Sequence, residues 1–237
     1  MTDYTLVARL AESPERSAII LDVDGTLAPI APEPEKARVP EETRRELRRL
    51  SGRYALVACV SGRPAAEARR VVGVDELVYV GEHGLELDPE AERFAPAIAA
   101  FADSVDWPAE RKVLTVSFHY RNEPDEEAAV AVLERVAARA AGEGLRPRWG
   151  RKVLEIRPPL DTNKGTAVRR LLEERKLSRA LYAGDDATDL DAFAGLDGLD
   201  CAVRVAVVSA EGPSELGATA DLVLGSTGAL LELLRQL

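Results

Sequence analysis

Ala18-Ile19-Ile20-Leu21, running into Asp22-Val23-Asp24-Gly25-Thr26-Leu27, decides how this chain is read. The first four residues are a short, branched, unbroken apolar run, the pattern of a strand buried on both faces. The run ends on two carboxylates one residue apart, followed by a glycine turn. Such a pair suits a carboxylate nucleophile beside an acid/base group. Its oxygen donors also suit a hard metal ion.

The same grammar repeats along the chain. Residues 18–23 read as the first strand, and the proline-rich stretch from Pro29 to Pro40 reads as a loop. Pro40-Glu41-Glu42-Thr43 opens a helix with acids in its first turn and arginines later, as the helix dipole prefers. Leu56 to Val60 is a second buried strand, and Ser61-Gly62-Arg63-Pro64 turns into another helix. Leu77 to Val80 is a third strand. Gly81 to Gly84 is a turn, and Leu85-Glu86-Leu87 alternates like an edge strand.

Between Asp88 and Pro159 the pattern changes. Val113 to Tyr120, Leu145 to Trp149 and Lys152 to Arg157 read as half-buried strands, with a helix over Asp125 to Ala141, which suggests an α+β module with an antiparallel sheet. After Asp161 the strand–helix rhythm returns. Helices are expected over Lys164 to Glu174, Asp189 to Ala194 and Gly228 to Leu237, and strands over Ala180 to Ala183, Cys201 to Val208 and Ala220 to Leu224. The expected fold is α/β: a doubly wound, mostly parallel-sheet, Rossmann-like core (1–87 and 161–237) with an inserted α+β cap domain (88–160). Ligands of such cores sit at the carboxyl ends of the strands.

The 237 residues are 46% hydrophobic and 30% charged, enough for a sizeable core. With 31 basic against 41 acidic residues the formal charge is −10, which argues against nucleic acid and anionic membranes as partners. An anionic substrate would then need a metal or a few placed cations. Two cysteines, Cys59 and Cys201, form no disulfide framework and no metal-binding spacing. No signal pattern or membrane-spanning run is present, so a cytoplasmic protein is expected; a monomer is the default expectation for it.

Three strand ends carry candidate chemistry. Asp22 can attack phosphorus, with Asp24 protonating the leaving oxygen and then activating water. Two anions must approach one another, so a divalent cation is required, and Asp185 in Gly184-Asp185-Asp186-Ala187-Thr188-Asp189 is the second carboxylate to hold Mg²⁺. Ser61 and Lys164 would hold phosphoryl oxygens, and Gly25 and Gly62 would let backbone amides approach them. A carboxylate pair at a strand end or a Ser-Gly-Arg turn is, taken singly, also a helix cap. Their joint occurrence, in order and at strand ends, favours chemistry.

These four elements resemble the haloacid dehalogenase-like hydrolases with a cap between the second and third motifs. The resemblance extends to the trehalose-6-phosphate phosphatases through Asp22 to Ile30, Ser61-Gly62-Arg63, His83-Gly84, His119-Tyr120-Arg121, Glu155-Ile156-Arg157-Pro158, Lys164-Gly165 and Gly184 to Asp189. It implies hydrolysis of a small-molecule sugar phosphate, trehalose 6-phosphate, through an aspartyl-phosphate. Asp22 would be the nucleophile and Asp24 the acid/base. Asp22, the Asp24 carbonyl and Asp185 would bind Mg²⁺, with Asp186 and Asp189 as ligands or supports. Ser61, Gly62, Arg63 and Lys164 would form the phosphate pocket. Glu110, Arg121, Arg151 and Glu155 of the cap would read sugar hydroxyls, while His83 and His119 are expected to be structural.

Three positions depart from the family pattern. Val23 replaces a common aromatic, Leu190 a common glutamate, and Arg151 a frequent lysine, which keeps the charge but changes its geometry. Other readings stay open: a phosphatase for sucrose 6-phosphate or glucosyl-3-phosphoglycerate, a sugar phosphomutase, or a non-catalytic sugar-phosphate sensor.

Overall fold

The computed structural model describes residues 4–31, 33–150, 152–209 and 212–237. The chain forms two compact units, one of residues 1–87 and 162–237 and the other of residues 88–161. The first begins with α1 (Thr5–Ala11), β1 (Ala18–Leu21), α2 (Glu41–Ser51), β2 (Leu56–Val60), α3 (Ala65–Val72) and β3 (Val78–Val80). Every residue of β1 and β2 is buried, as their apolar runs require. β1 stops at Leu21 rather than Val23, because the Val23 carbonyl accepts from the amides of Leu27 and Ala28 and closes a turn.

Residues 85–87 are not the expected edge strand. Glu82–Leu87 forms tight helical turns kinked at His83 and Gly84, whose φ values are 57° and 101°. Three residues of alternation fit a tight turn as well as a strand. Leu85 is fully buried, and Gly84 lies against Ala167 and the Asn163 carbonyl, where no strand can run.

The second unit contains α4 (Ala95–Asp103), β4 (Ala109–Arg111), β5 (Val116–His119), α5 (Glu126–Gly142), β6 (Arg146–Gly150) and β7 (Val153–Arg157). The strands form an antiparallel sheet in the order β4-β5-β7-β6. Val116, Phe118, Leu154 and Ile156 pack from one face onto Ile98 and Phe101 of α4 and Leu133, Ala137 and Ala140 of α5. Asp125 caps α5 by accepting from the Ala128 amide. The sequence missed α4 and β4, and residues 113–115 belong to the turn between β4 and β5, where Lys112 N–H donates to the Thr115 carbonyl.

The first unit resumes with α6 (Lys164–Glu174), β8 (Arg179–Gly184), α7 (Thr188–Ala194), β9 (Cys201–Val207), α8 (Ser214–Thr219), β10 (Leu222–Leu224) and α9 (Thr227–Leu234). Its sheet is parallel, in the order β10-β9-β8-β1-β2-β3. Successive side chains of β1 point to opposite faces. Ile19 and Leu21 meet a layer that includes Leu10, Leu47, Val71 and Leu230, whereas Ala18 and Ile20 meet Val168, Leu171 and Phe193. The sheet is therefore doubly wound. No described helix is long and apolar enough to cross a membrane.

Register positions the chemistry. Leu21 is paired with Cys59 on one side and with Ala183 on the other. The three central strands thus end level, and Asp22, Ser61 and Asp185 leave the sheet at the same edge. Strand order runs outward from β1 through β2 to β3 on one side and from β8 through β9 to β10 on the other, and open α/β sheets place their crevice where these directions diverge.

Candidate active site

Gly25 shapes the turn after β1. Its φ is +82°, and a Cβ there would lie 2.0 Å from Asp185 Oδ2, so only glycine lets that carboxylate sit against the turn. The Thr26 hydroxyl donates to Asp185 Oδ1 at 2.9 Å and fixes it. Asp22 is 5% exposed and its amide donates to the Ala183 carbonyl, which ties the nucleophile candidate to β8.

Lys164, at the first turn of α6, is 2% exposed. Its ammonium stands 2.9 Å from Asp22 Oδ1 and 2.7 Å from Asp189 Oδ1. Asn163 holds that helix start in a reciprocal capping box with Thr166. Asp189, fully buried on α7, also accepts from the Tyr182 hydroxyl at 2.7 Å and from the amides of Asp185 and Asp186 at 2.9 Å each.

Asp22, Asp185 and Asp189 bring carboxylate oxygens within 4.8 Å of one another. Burial, together with the charges of Asp189 and Asp185, pushes the Asp22 carboxyl well above its usual range, against the pull of Lys164. Burial and Asp189 raise Asp185 to about 7. Burial alone would lower Lys164, but Asp189 and Asp22 outweigh it, so the ammonium stays charged. One ammonium faces three carboxylates, two buried and one half-buried; with all three ionised, two negative charges stay uncompensated, a deficit that a divalent cation would fill. Hard oxygen donors suit such an ion. Oδ2 of Asp22 and of Asp185 accept no hydrogen bond from any described residue.

The other predicted core residues gather nearby in the chain's turns. Arg63 clamps Asp24 through two parallel bonds, Nε to Oδ2 at 2.6 Å and a terminal nitrogen to Oδ1 at 2.8 Å, and pairs with Glu67 as well. These bonds raise the Arg63 pKa further above its already high value. The sequence assigned Arg63 to phosphate; here its guanidinium is paired with the Asp24 and Glu67 carboxylates. Ser61 is buried and its hydroxyl accepts from the Arg63 amide at 3.2 Å. Gly62 lies under the His83 ring, which a Cβ would approach to 2.7 Å. Asp186 is exposed, its carboxylate accepting from the Ala187 amide, so it does not join the cluster.

In the second unit, one polar row crosses the sheet. Glu110 is opposite Ser117, Ser117 opposite Glu155, and Glu155 opposite Arg148. Glu155 is buried, with Lys112 Nζ 3.4 Å from Oε1 and Arg157 Nε 3.9 Å from Oε2. Glu110 Oε2 and His119 Nε2 are 2.6 Å apart. Arg121 is exposed just beyond β5, and Arg151 lies outside the described residues. Sequence reasoning missed Lys112, Ser117 and Arg148. The alternation that buries Phe118 and Leu154 is the signal that would have put Ser117 and Glu155 together on the other face.

The family model described as trehalose-phosphatase matches residues 20–104 and 108–222. The chain belongs to the trehalose-phosphatase family. Its curated relatives include a probable trehalose-phosphate phosphatase 9 of rice (Oryza sativa subsp. japonica), 33% identical over 223 residues that cover 76% of this chain and 59% of that protein. The trehalose-phosphate phosphatase of Mycobacterium avium is 34% identical over 204 residues, 76% of this chain and 51% of that one. The chain therefore spans a little over half the length of these relatives. Among solved structures, the C-terminal domain of Candida albicans trehalose-6-phosphate phosphatase superimposes with a TM-score of 0.75 at 23% identity. It covers 99% of this chain and 96% of that one, and it shares the fold. In this member of the trehalose-phosphatase family, the matched span includes the turn after β1, the Lys164 helix and the Asp185–Asp189 turn.

Proposed function

We propose that this chain hydrolyses trehalose 6-phosphate to trehalose and phosphate in the cytoplasm, with Mg²⁺ as its metal. The observation that carries the chemistry is the buried Lys164 ammonium 2.9 Å from Asp22, beside Asp185 at the same sheet edge. Family membership carries the substrate.

In this reading an Asp22 oxygen attacks phosphorus, and Asp24 gives its proton to the departing sugar oxygen. The resulting aspartyl-phosphate is cleaved by a water that Asp24 deprotonates. Lys164 and the Ser61 hydroxyl hold the phosphoryl oxygens where negative charge develops, and the Arg63 clamp aims Asp24. Asp22, the Asp24 main-chain carbonyl and Asp185 would hold Mg²⁺, which supplies charge neutralisation between the phosphate and the carboxylates. Glu155, Glu110, Arg121 and Arg151 would take sugar hydroxyls, carboxylate and guanidinium groups each engaging two neighbours.

The test is phosphate release from trehalose 6-phosphate by the wild type and by Asp22→Asn. The variant is isosteric and should stay folded with turnover reduced by at least about a thousandfold. A folded variant with more than a tenth of the wild-type rate would remove Asp22 from the nucleophile's role.

A further inference from the structure

Asp189 has no acceptor capacity left. An ionised carboxylate offers about four lone-pair sites. Those of Asp189 are filled by Lys164 and Tyr182 on Oδ1, both at 2.7 Å, and by the amides of Asp185 and Asp186 on Oδ2, both at 2.9 Å. Although Asp189 lies within reach of Asp22 and Asp185, all its lone pairs are directed at protein donors. Asp22 and Asp185 each keep an oxygen uncommitted to any described residue.

Of the two side-chain donors, the Lys164 ammonium has a role in the proposed reaction and the Tyr182 hydroxyl has none. It comes from β8, two residues before the strand ends, and the side chain is fully buried in the layer beneath the sheet edge. The Phe193 ring meets it edge-on, with centroids 6.1 Å apart, so the ring has a fixed direction. Its hydroxyl therefore reaches Asp189 from below while Lys164 reaches the same oxygen from α6.

We infer that Tyr182 is a positioning residue: by filling the last acceptor site of Asp189, it fixes the carboxylate that aims the Lys164 ammonium at Asp22. This rests on the proposed roles of Asp22 and Lys164. Without the hydroxyl, Oδ1 answers to Lys164 alone. The carboxylate can then turn, and the ammonium follows it away from the reacting oxygens. That shift matters most when charge builds in the transition state and less in the ground state. The metal ligands Asp22 and Asp185 are untouched.

The experiment compares Tyr182→Phe with Phe193→Leu, which loosens packing around the same ring but leaves the hydroxyl in place. Turnover is measured on trehalose 6-phosphate and on p-nitrophenyl phosphate, Mg²⁺ binding by calorimetry without substrate, and folding by thermal melting. Tyr182→Phe should lose about tenfold in kcat on both esters with KM within about twofold, the size of one charge-assisted hydrogen bond. Its Mg²⁺ affinity should stay within about twofold of wild type. Phe193→Leu should melt lower yet keep its kcat. The inference is overturned if Tyr182→Phe keeps wild-type kcat, if its Mg²⁺ affinity changes more than about fivefold, or if Phe193→Leu loses kcat equally. Failure of the substrate reading would look different: p-nitrophenyl phosphate would be cleaved and trehalose 6-phosphate would not.

Discussion

Gly25→Ala adds one methyl group and should disable the site. The new Cβ would lie 2.0 Å from Asp185 Oδ2, 2.4 Å from its Cγ and 2.7 Å from Oδ1. Ordinary contact needs about 3.5 Å, so the carboxylate must retreat by more than about 1 Å. It cannot do so freely, because Thr26 holds Oδ1 and the Asp185 amide is tied to Asp189. The φ of +82° adds about 1–2 kcal/mol of strain for alanine, and loss of the Thr26 bond adds about 1 kcal/mol. A destabilisation of about 2–3 kcal/mol follows, read by urea melting in the presence of chelator. Displacing a metal carboxylate by an ångström should cost about 100-fold in kcat and at least about tenfold in Mg²⁺ affinity. A Gly25→Ala protein with Mg²⁺ affinity and kcat within threefold of wild type would show that Asp185 is not where the chemistry needs it.

Glu155→Ala separates sugar reading from phosphate chemistry. It should lower kcat/KM for trehalose 6-phosphate about 10- to 100-fold and change hydrolysis of p-nitrophenyl phosphate less than about threefold; equal losses on both would make Glu155 structural. The metal-free protein should lose stability as pH rises. Asp185 binds its proton more tightly when folded, at about 7 against 3.8, so its contribution is full below pH 3.8 and is lost as the pH rises through about 7. The full difference is on the order of 4 kcal/mol. Thermal melts in chelator should fall across that window, and added Mg²⁺ should flatten the profile. A metal-free melting temperature that rises from pH 5 to pH 7.5 would contradict the crowding of these carboxylates.

What could be read from the sequence was what local pattern controls. β1 and β2 are buried on both faces, so Ala18–Leu21 and Leu56–Val60 stand out as unbroken apolar runs. Level strand ends then make Asp22, Ser61 and Asp185 neighbours, and the helix carrying Lys164 was legible from its own periodicity. What escaped depends on partners distant in the chain. Glu155 meets Lys112 across the sheet, 43 residues away. Asp189 sits on the same turn as Asp185, but its four bonds include donors from β8 and α6. The pairing of Arg63 with Asp24 also escaped, because nothing in Ser-Gly-Arg reveals the carboxylate 39 residues before it. Leu85–Leu87 misled because three alternating residues do not distinguish a strand from a tight turn.

The central claim is that a phosphoryl-transfer site centred on Asp22 serves trehalose 6-phosphate. The most direct measurement is phosphate release with Mg²⁺ from trehalose 6-phosphate, sucrose 6-phosphate, glucose 6-phosphate and glucosyl-3-phosphoglycerate at matched concentrations. The account predicts at least about a tenfold preference in kcat/KM for trehalose 6-phosphate, abolished by chelator and restored by Mg²⁺. Equal or faster hydrolysis of another ester would contradict the substrate, and release that chelator leaves unchanged would contradict the metal.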